Sequence, residues 1–222
     1  MAYEGMERFF PAEKIMITGN PVRQTLTEST VTREKALRRL GMDSEKKTIL
    51  IVGGSLGTRT INESVMKHLD RIKKSEVQII WQTGKFYYAN IQERMKSETI
   101  SNLKVTDFIT DMSAAYKAAD LVISRAGASS ISELCLTGKA AILVPSPNVA
   151  EDHQTKNAMA MTKKNAAMLV KDEEAEEKLM PTAIKTVSDE GMLRSLSENA
   201  RKMALPNAAE TIAREIIKLS EK

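Results

Sequence analysis

Six short apolar runs, separated by segments of helical spacing, constrain this chain more than any other feature. The runs cover 48–52, 77–81, 103–109, 121–124, 141–144 and 168–170, and each reads as a strand. Between the first two, Ile61, Val65, Leu69 and Ile72 recur at helical spacing and mark one face of a helix. Segments 113–119, 130–136 and 155–164 also read as helices. This alternation predicts an α/β domain of Rossmann type, a parallel sheet with helices on both faces and right-handed crossovers.

The two ends read differently. Residues 6–10 are helix-like and stop at Pro11, and an apolar run at 15–17 reads as an interdomain strand ending at Gly19-Asn20-Pro21. Residues 1–22 are thus expected to be the residual end of a preceding unit and its link to this one. Residues 22–46 read as a basic linker holding a short helix broken by Gly41. After Lys171, helical segments are expected from about Asp172, Gly191 and Asn207, with Pro181 near a first turn and Pro206 between two of them. The acidic stretch 172–177 is most simply a solvated helix start.

Composition sets the class. Among 222 residues, 42% are hydrophobic, enough to build a core without disulfides or metal. The single cysteine, Cys135, permits no disulfide framework, so a reducing cytoplasm fits best. No run approaches the ~18 apolar residues of a membrane span. The net charge of +4 admits an anionic partner, but the lysines are spread along every helix and aromatic residues are only 4%. Nucleic acid is therefore not expected as a partner.

Parallel sheets bind ligands at the carboxyl ends of their strands, so the loops there carry the chemistry. The first run leads into Gly53-Gly54-Ser55-Leu56-Gly57, whose glycines let the backbone approach an anion at a helix N-terminus. The alternative is a plain tight turn. A dinucleotide fingerprint is absent, and Trp81-Gln82-Thr83-Gly84 ends the second strand without the acidic residue that would hold a ribose. A P-loop fails as well, because Ala140 follows Gly138-Lys139. NAD and ATP are disfavoured. The fourth run leads into 124–133, where Ala128, Ser129, Ser130, Ile131 and Ser132 crowd a second helix start. Glu133 has two competing roles, as partner of Ser130 in a capping box or as acceptor for two sugar hydroxyls; spacing alone favours the cap. In the loop after the fifth run, Gln154 is either a reader of sugar hydroxyls or part of a polar helix entry. Arg23 could neutralise a diphosphate or be a surface charge.

Taken together, five segments resemble the MurG family in order and spacing: Gly19-Asn20-Pro21-Val22-Arg23, Gly53-Gly54-Ser55-Leu56-Gly57, Asp107-Phe108-Ile109-Thr110-Asp111-Met112, Ser124-Arg125-Ala126-Gly127 through Ser132-Glu133, and Asp152-His153-Gln154 through Asn157-Ala158. That family transfers N-acetylglucosamine from UDP-N-acetylglucosamine to lipid I in bacterial peptidoglycan synthesis. The resemblance implies the C-terminal, donor-binding half of a GT-B fold, with 23–206 as the nucleotide-sugar domain and 207–222 as a helix packing toward an N-terminal domain. It implies Arg23 and Ser55 at the diphosphate, beside the loop glycines Gly53, Gly54 and Gly57. It further implies the backbone of Ile109 and the ring of Phe108 at the uracil, 128–132 at a helix N-terminus, Glu133 on the ribose and Gln154 on the sugar. Leu56 and His153 depart from glutamines found in some relatives.

The implied reaction is an inverting transfer in which an acceptor hydroxyl attacks the anomeric carbon and UDP leaves. No Asp-x-Asp triplet is present, so no metal and no other cofactor is expected, and helix N-termini with Arg23 would supply positive field. The catalytic base is expected in the N-terminal domain, since His68 lies mid-helix. The lipid I acceptor and the cytoplasmic face of the membrane are likewise partners through that domain. Rival readings are a UDP-N-acetylglucosamine 2-epimerase, a non-catalytic nucleotide-sugar module and, more distantly, a dinucleotide oxidoreductase.

Overall fold

All six apolar runs form strands in the computed structural model, which describes residues 10–221. They are β1 (Thr48–Val52), β2 (Gln78–Gln82), β3 (Leu103–Thr106), β4 (Leu121–Ser124), β5 (Ala140–Leu143) and β6 (Met168–Leu169). They make one sheet in the order β3-β2-β1-β4-β5-β6, with every neighbouring pair parallel. This is the doubly wound order, in which the crossovers reverse direction between β1 and β4.

The central strands β1, β4 and β5 are continuous apolar runs because both faces of the sheet are covered there, whereas the edge strand β3, Leu103-Lys104-Val105-Thr106, alternates and is only half-buried. Leu50, Ile80, Val122 and Leu143 face one core, with α2 (Arg33–Arg39), α6 (Met112–Ala118), α7 (Ala128–Thr137) and α8 (His153–Thr162). Ile49, Ile51, Ile79, Trp81 and Ile123 face the other, with α3 (Arg59–Lys67), α5 (Lys85–Arg94) and α9 (Asp172–Val187). Each fully buried Ile or Leu contributes roughly 1.5–3 kcal/mol relative to exposure. The one tryptophan keeps its polar atom satisfied: Trp81 Nε1 donates to Asn62 Oδ1 at 3.0 Å, and Asn62 Nδ2 donates to the Thr83 carbonyl at 2.9 Å.

Several boundaries differ from the sequence expectation. The third strand stops at Thr106 because the Asp107 carboxylate accepts the Phe108 N–H at 2.7 Å and turns the chain. The helix expected across Ile61 to Ile72 is two, α3 and α4 (Leu69–Lys73), parted at His68. The His68 ring there meets the Ser64 carbonyl at 2.9 Å, while the backbone N–H of His68 donates to the Val65 carbonyl at 3.1 Å. Pro181 lies inside α9, not near a first turn. The expected linker is part of the domain: α1 (Gln24–Glu28) and α2 carry Leu26, Ala36 and Leu37 into the core. Residues 15–17 form no strand, and Met16 and Ile17 are exposed. Of the helix-like stretch 6–10, residues 6–9 lie outside the described residues. The C-terminal pair, α10 (Glu190–Lys202) and α11 (Ala208–Ser220), is present as expected. Among the described residues, no helix is long and apolar enough to cross a membrane.

Candidate functional site

The loops after β1 and β4 flank the point where the crossovers reverse. In the first, Gly57 has φ +87°, and a Cβ there would lie 2.0 Å from the Thr83 carbonyl oxygen. Gly57 is therefore a packing glycine that lets the β1 and β2 loops touch. Gly54, at φ +83°, has nothing within 4 Å of a Cβ position, so its open side is available to a ligand. Ser55 and Leu56 beside it are exposed. The helix that follows, α3, has no side-chain cap, because the Thr58 hydroxyl donates back to the Gly53 carbonyl at 2.9 Å.

The second loop does not fold as the spacing suggested. Helix α7 begins at Ala128 with Gly127 as N-cap, so Ser130 is inside the helix and no capping box with Glu133 forms. Instead Glu133 Oε2 accepts the Tyr116 hydroxyl at 2.9 Å. Tyr116 is buried on α6, and its phenol is held well above its usual pKa, first by burial, then by the charge of Glu133 and its hydrogen bond. Arg23 acts in the opposite direction on the same phenol, so the guanidinium stands within electrostatic reach of this pair. The segment bearing Arg23 is tied to α7 by Asn20, whose Nδ2 donates to Ser132 Oγ at 3.2 Å. The segment carrying Arg23, more than a hundred residues earlier in the chain, thus lies against the early turns of α7 that bear Ser132 and Glu133.

Beside β3, Phe108 is partly exposed, with Lys85 Nζ 5.5 Å from its ring centroid. The Ile109 N–H is taken by Gln82 Oε1 at 3.2 Å, and Gln82 Nε2 donates to the Gly54 carbonyl at 2.9 Å. A buried glutamine therefore joins the glycine loop to the Phe108–Ile109 loop. Sequence reading saw in Gln82 only the absence of an acidic residue.

Gln154 sits apart from these groups. It borders a cavity of about 630 Å³ lined also by Gly57, Thr58, Arg59, Arg125, Asn148 and Asp172, with Arg23, Ser55 and Glu133 outside its lining. Its Oε1 accepts the Ser146 N–H at 3.0 Å, so its amide NH₂ is the end left to meet a ligand. Arg125 braces the cavity by donating to the carbonyls of Val144 and Pro145, at 3.0 and 3.1 Å, and to Asp172, which also accepts from Thr60. The backbone enters this region with Glu151 and Asp152 both at positive φ, 53° and 52°. Such positions are costly for residues with a side chain.

The model of the glycosyltransferase family 28 C-terminal domain matches residues 48–214. The chain belongs to glycosyltransferase family 28. Two relatives named as UDP-N-acetylglucosamine–N-acetylmuramyl-(pentapeptide) pyrophosphoryl-undecaprenol N-acetylglucosamine transferase match this family 28 chain over its full length. They come from Parabacteroides distasonis, at 56% identity, and Bacteroides thetaiotaomicron, at 59%. In each case the chain spans only 60% of the relative. The crystal structure of Acinetobacter baumannii MurG superposes with a TM-score of 0.70 at 31% identity, covering 86% of this chain and 54% of that one. The family 28 fold is thus the α/β sheet that the sequence predicted.

Proposed function

We propose that the chain is the donor-binding half of an inverting glycosyltransferase that moves N-acetylglucosamine from UDP-N-acetylglucosamine to lipid I. The product would be lipid II, for peptidoglycan synthesis. The observation that carries this reading is the Asn20–Ser132 hydrogen bond, which draws the Arg23 segment onto the first turns of α7 beside Glu133. A cation, a helix start and a carboxylate on one carboxyl edge of a doubly wound sheet suit a nucleoside diphosphate. The names borne by the relatives supply the sugar and the acceptor.

In this reading Arg23, Ser55 and the first turn of α7 (Ala128, Ser129, Ser130) face the diphosphate, with Ser132 beside them; Ile131, also expected there, instead buries its side chain in the core and gives its N–H to the Gly127 carbonyl at 3.0 Å. Gly54 allows the diphosphate to approach, while Gly53, where a Cβ would lie 2.8 Å from the Thr58 hydroxyl, and Gly57 hold the loop in place. Phe108 and the backbone carbonyl of Ile109, whose N–H is taken by Gln82, hold the uracil, Glu133 the ribose hydroxyls, and the amide NH₂ of Gln154 the sugar. As the anomeric bond breaks, negative charge grows on the departing diphosphate. The N-termini of α3 and α7, neither capped by a side chain, and the Arg23 guanidinium oppose that charge. Residues 23–206 form the donor domain, 1–22 lead into it, and α11 packs toward the part of the relatives that this chain does not span. The acceptor, the catalytic base and contact with the cytoplasmic face of the membrane belong to that part. This chain alone binds donor without transferring sugar.

Calorimetric titration with UDP-N-acetylglucosamine, UDP, GDP and NAD tests the reading. The uridine nucleotides should bind and the others should not; preference for NAD would overturn it. Arg23→Ala and Ser55→Ala should each weaken UDP binding by about 1–3 kcal/mol. Unchanged affinity would remove that residue from the site. Turnover of lipid I by this chain would refute the claim that it only binds donor.

A further inference from the structure

We propose that Tyr116 is a positioning residue for ribose recognition, holding one oxygen of the Glu133 carboxylate so that the other is presented to a ribose diol. The proposal rests on the reading of Glu133 given above and adds to it a residue outside all five sequence segments. A glutamate on a helix turns readily about its last torsion, and a diol is recognised well only by a carboxylate whose plane is fixed. The 2.9 Å hydrogen bond from Tyr116 to Oε2 fixes that plane and leaves Oε1 for a ligand.

The donor is itself immobile. Tyr116 is 3% exposed, its ring belongs to the core shared by α6 and α7, and α6 is pinned by Asp111, whose carboxylate accepts the Ala114 N–H at 2.9 Å. Burial and the neighbouring carboxylate keep the phenol protonated, so it can only donate to Glu133. A phenylalanine would fill the same core; the hydroxyl is what serves the carboxylate.

The test is calorimetry on this chain with UDP, 2′-deoxy-UDP and 3′-deoxy-UDP, using wild type, Tyr116→Phe, Glu133→Gln and the double variant. Wild type should prefer UDP. Tyr116→Phe should weaken UDP about tenfold while changing the deoxy nucleotides by about twofold or less. Glu133→Gln should abolish the preference, and the double variant should bind UDP no more weakly than Glu133→Gln alone. Equal losses for all three nucleotides in Tyr116→Phe would mean a purely structural hydroxyl and overturn the proposal. So would an intact preference in Tyr116→Phe where Glu133→Gln has lost it. If Glu133→Gln itself keeps the preference, the ribose reading of Glu133 fails, and the role of Tyr116 falls with it.

Discussion

Two glycines three residues apart do different work, and alanine at each separates them. At position 57 a methyl group would overlap the Thr83 carbonyl and sit at φ +87°, so Gly57→Ala should cost more than about 3 kcal/mol of stability. At position 54 the strain of φ +83° remains but the space is open, so Gly54→Ala should cost only about 1–2 kcal/mol. That methyl would nevertheless stand where a phosphate approaches, so Gly54→Ala should lose UDP affinity out of proportion to its stability. Urea unfolding and calorimetry on the two variants check both halves; equal stability losses would contradict the packing role of Gly57. The glycine loop was visible in the sequence, but this division was not, because Gly57 is required by Thr83 and Gly84, more than twenty residues later. Glu133 teaches the same lesson. Ser130 and Glu133 have capping-box spacing, yet the helix starts at Ala128, two residues before Ser130, and the carboxylate's partner lies on another helix.

Among the elements, the strands were the most legible, since a doubly covered sheet demands uninterrupted apolar runs at its centre, and even the edge strand β3, interrupted by Lys104, kept two apolar residues to mark it. The helices were read less well wherever charge concealed burial. Helix α2 has charged residues at five of its seven positions, yet Ala36 and Leu37 are fully buried, so a segment that looked like a linker is a layer of the domain. Gln82 shows how elements are coupled through a single buried amide. Gln82→Leu would leave the Ile109 N–H without a partner, at about 1–3 kcal/mol, whereas the Gly54 carbonyl would keep the Gly57 N–H at 3.1 Å. Hydrogen exchange should then speed up at Ile109 and around the glycine loop while the amides of β1 and β4 remain protected. Unaltered exchange at Ile109 would show that Gln82 does not couple the two loops.

Across the whole molecule, stability carries a signature from the opposite end of the sheet. Burial pushes the Lys139 ammonium down to about 8, against the pull of Asp120. An unfolded lysine titrates at about 10.4, so between these values the unfolded chain binds more protons and folding stability rises with pH. Urea midpoints should therefore increase from pH 8 toward about 10, and Lys139→Met should flatten that rise; the same slope in both proteins would exclude Lys139 as its source. The strand order has a further consequence, one of timing. Strand β1 lies between β2 and β4, and β4 is not complete until Ser124. While the chain is being synthesised, β1, β2 and β3 can assemble early, but β1 then forms a raw border with its hydrogen-bonding groups unclaimed. From the emergence of Thr106 to that of Ser124, the growing polypeptide is most exposed to pairing with a stranger.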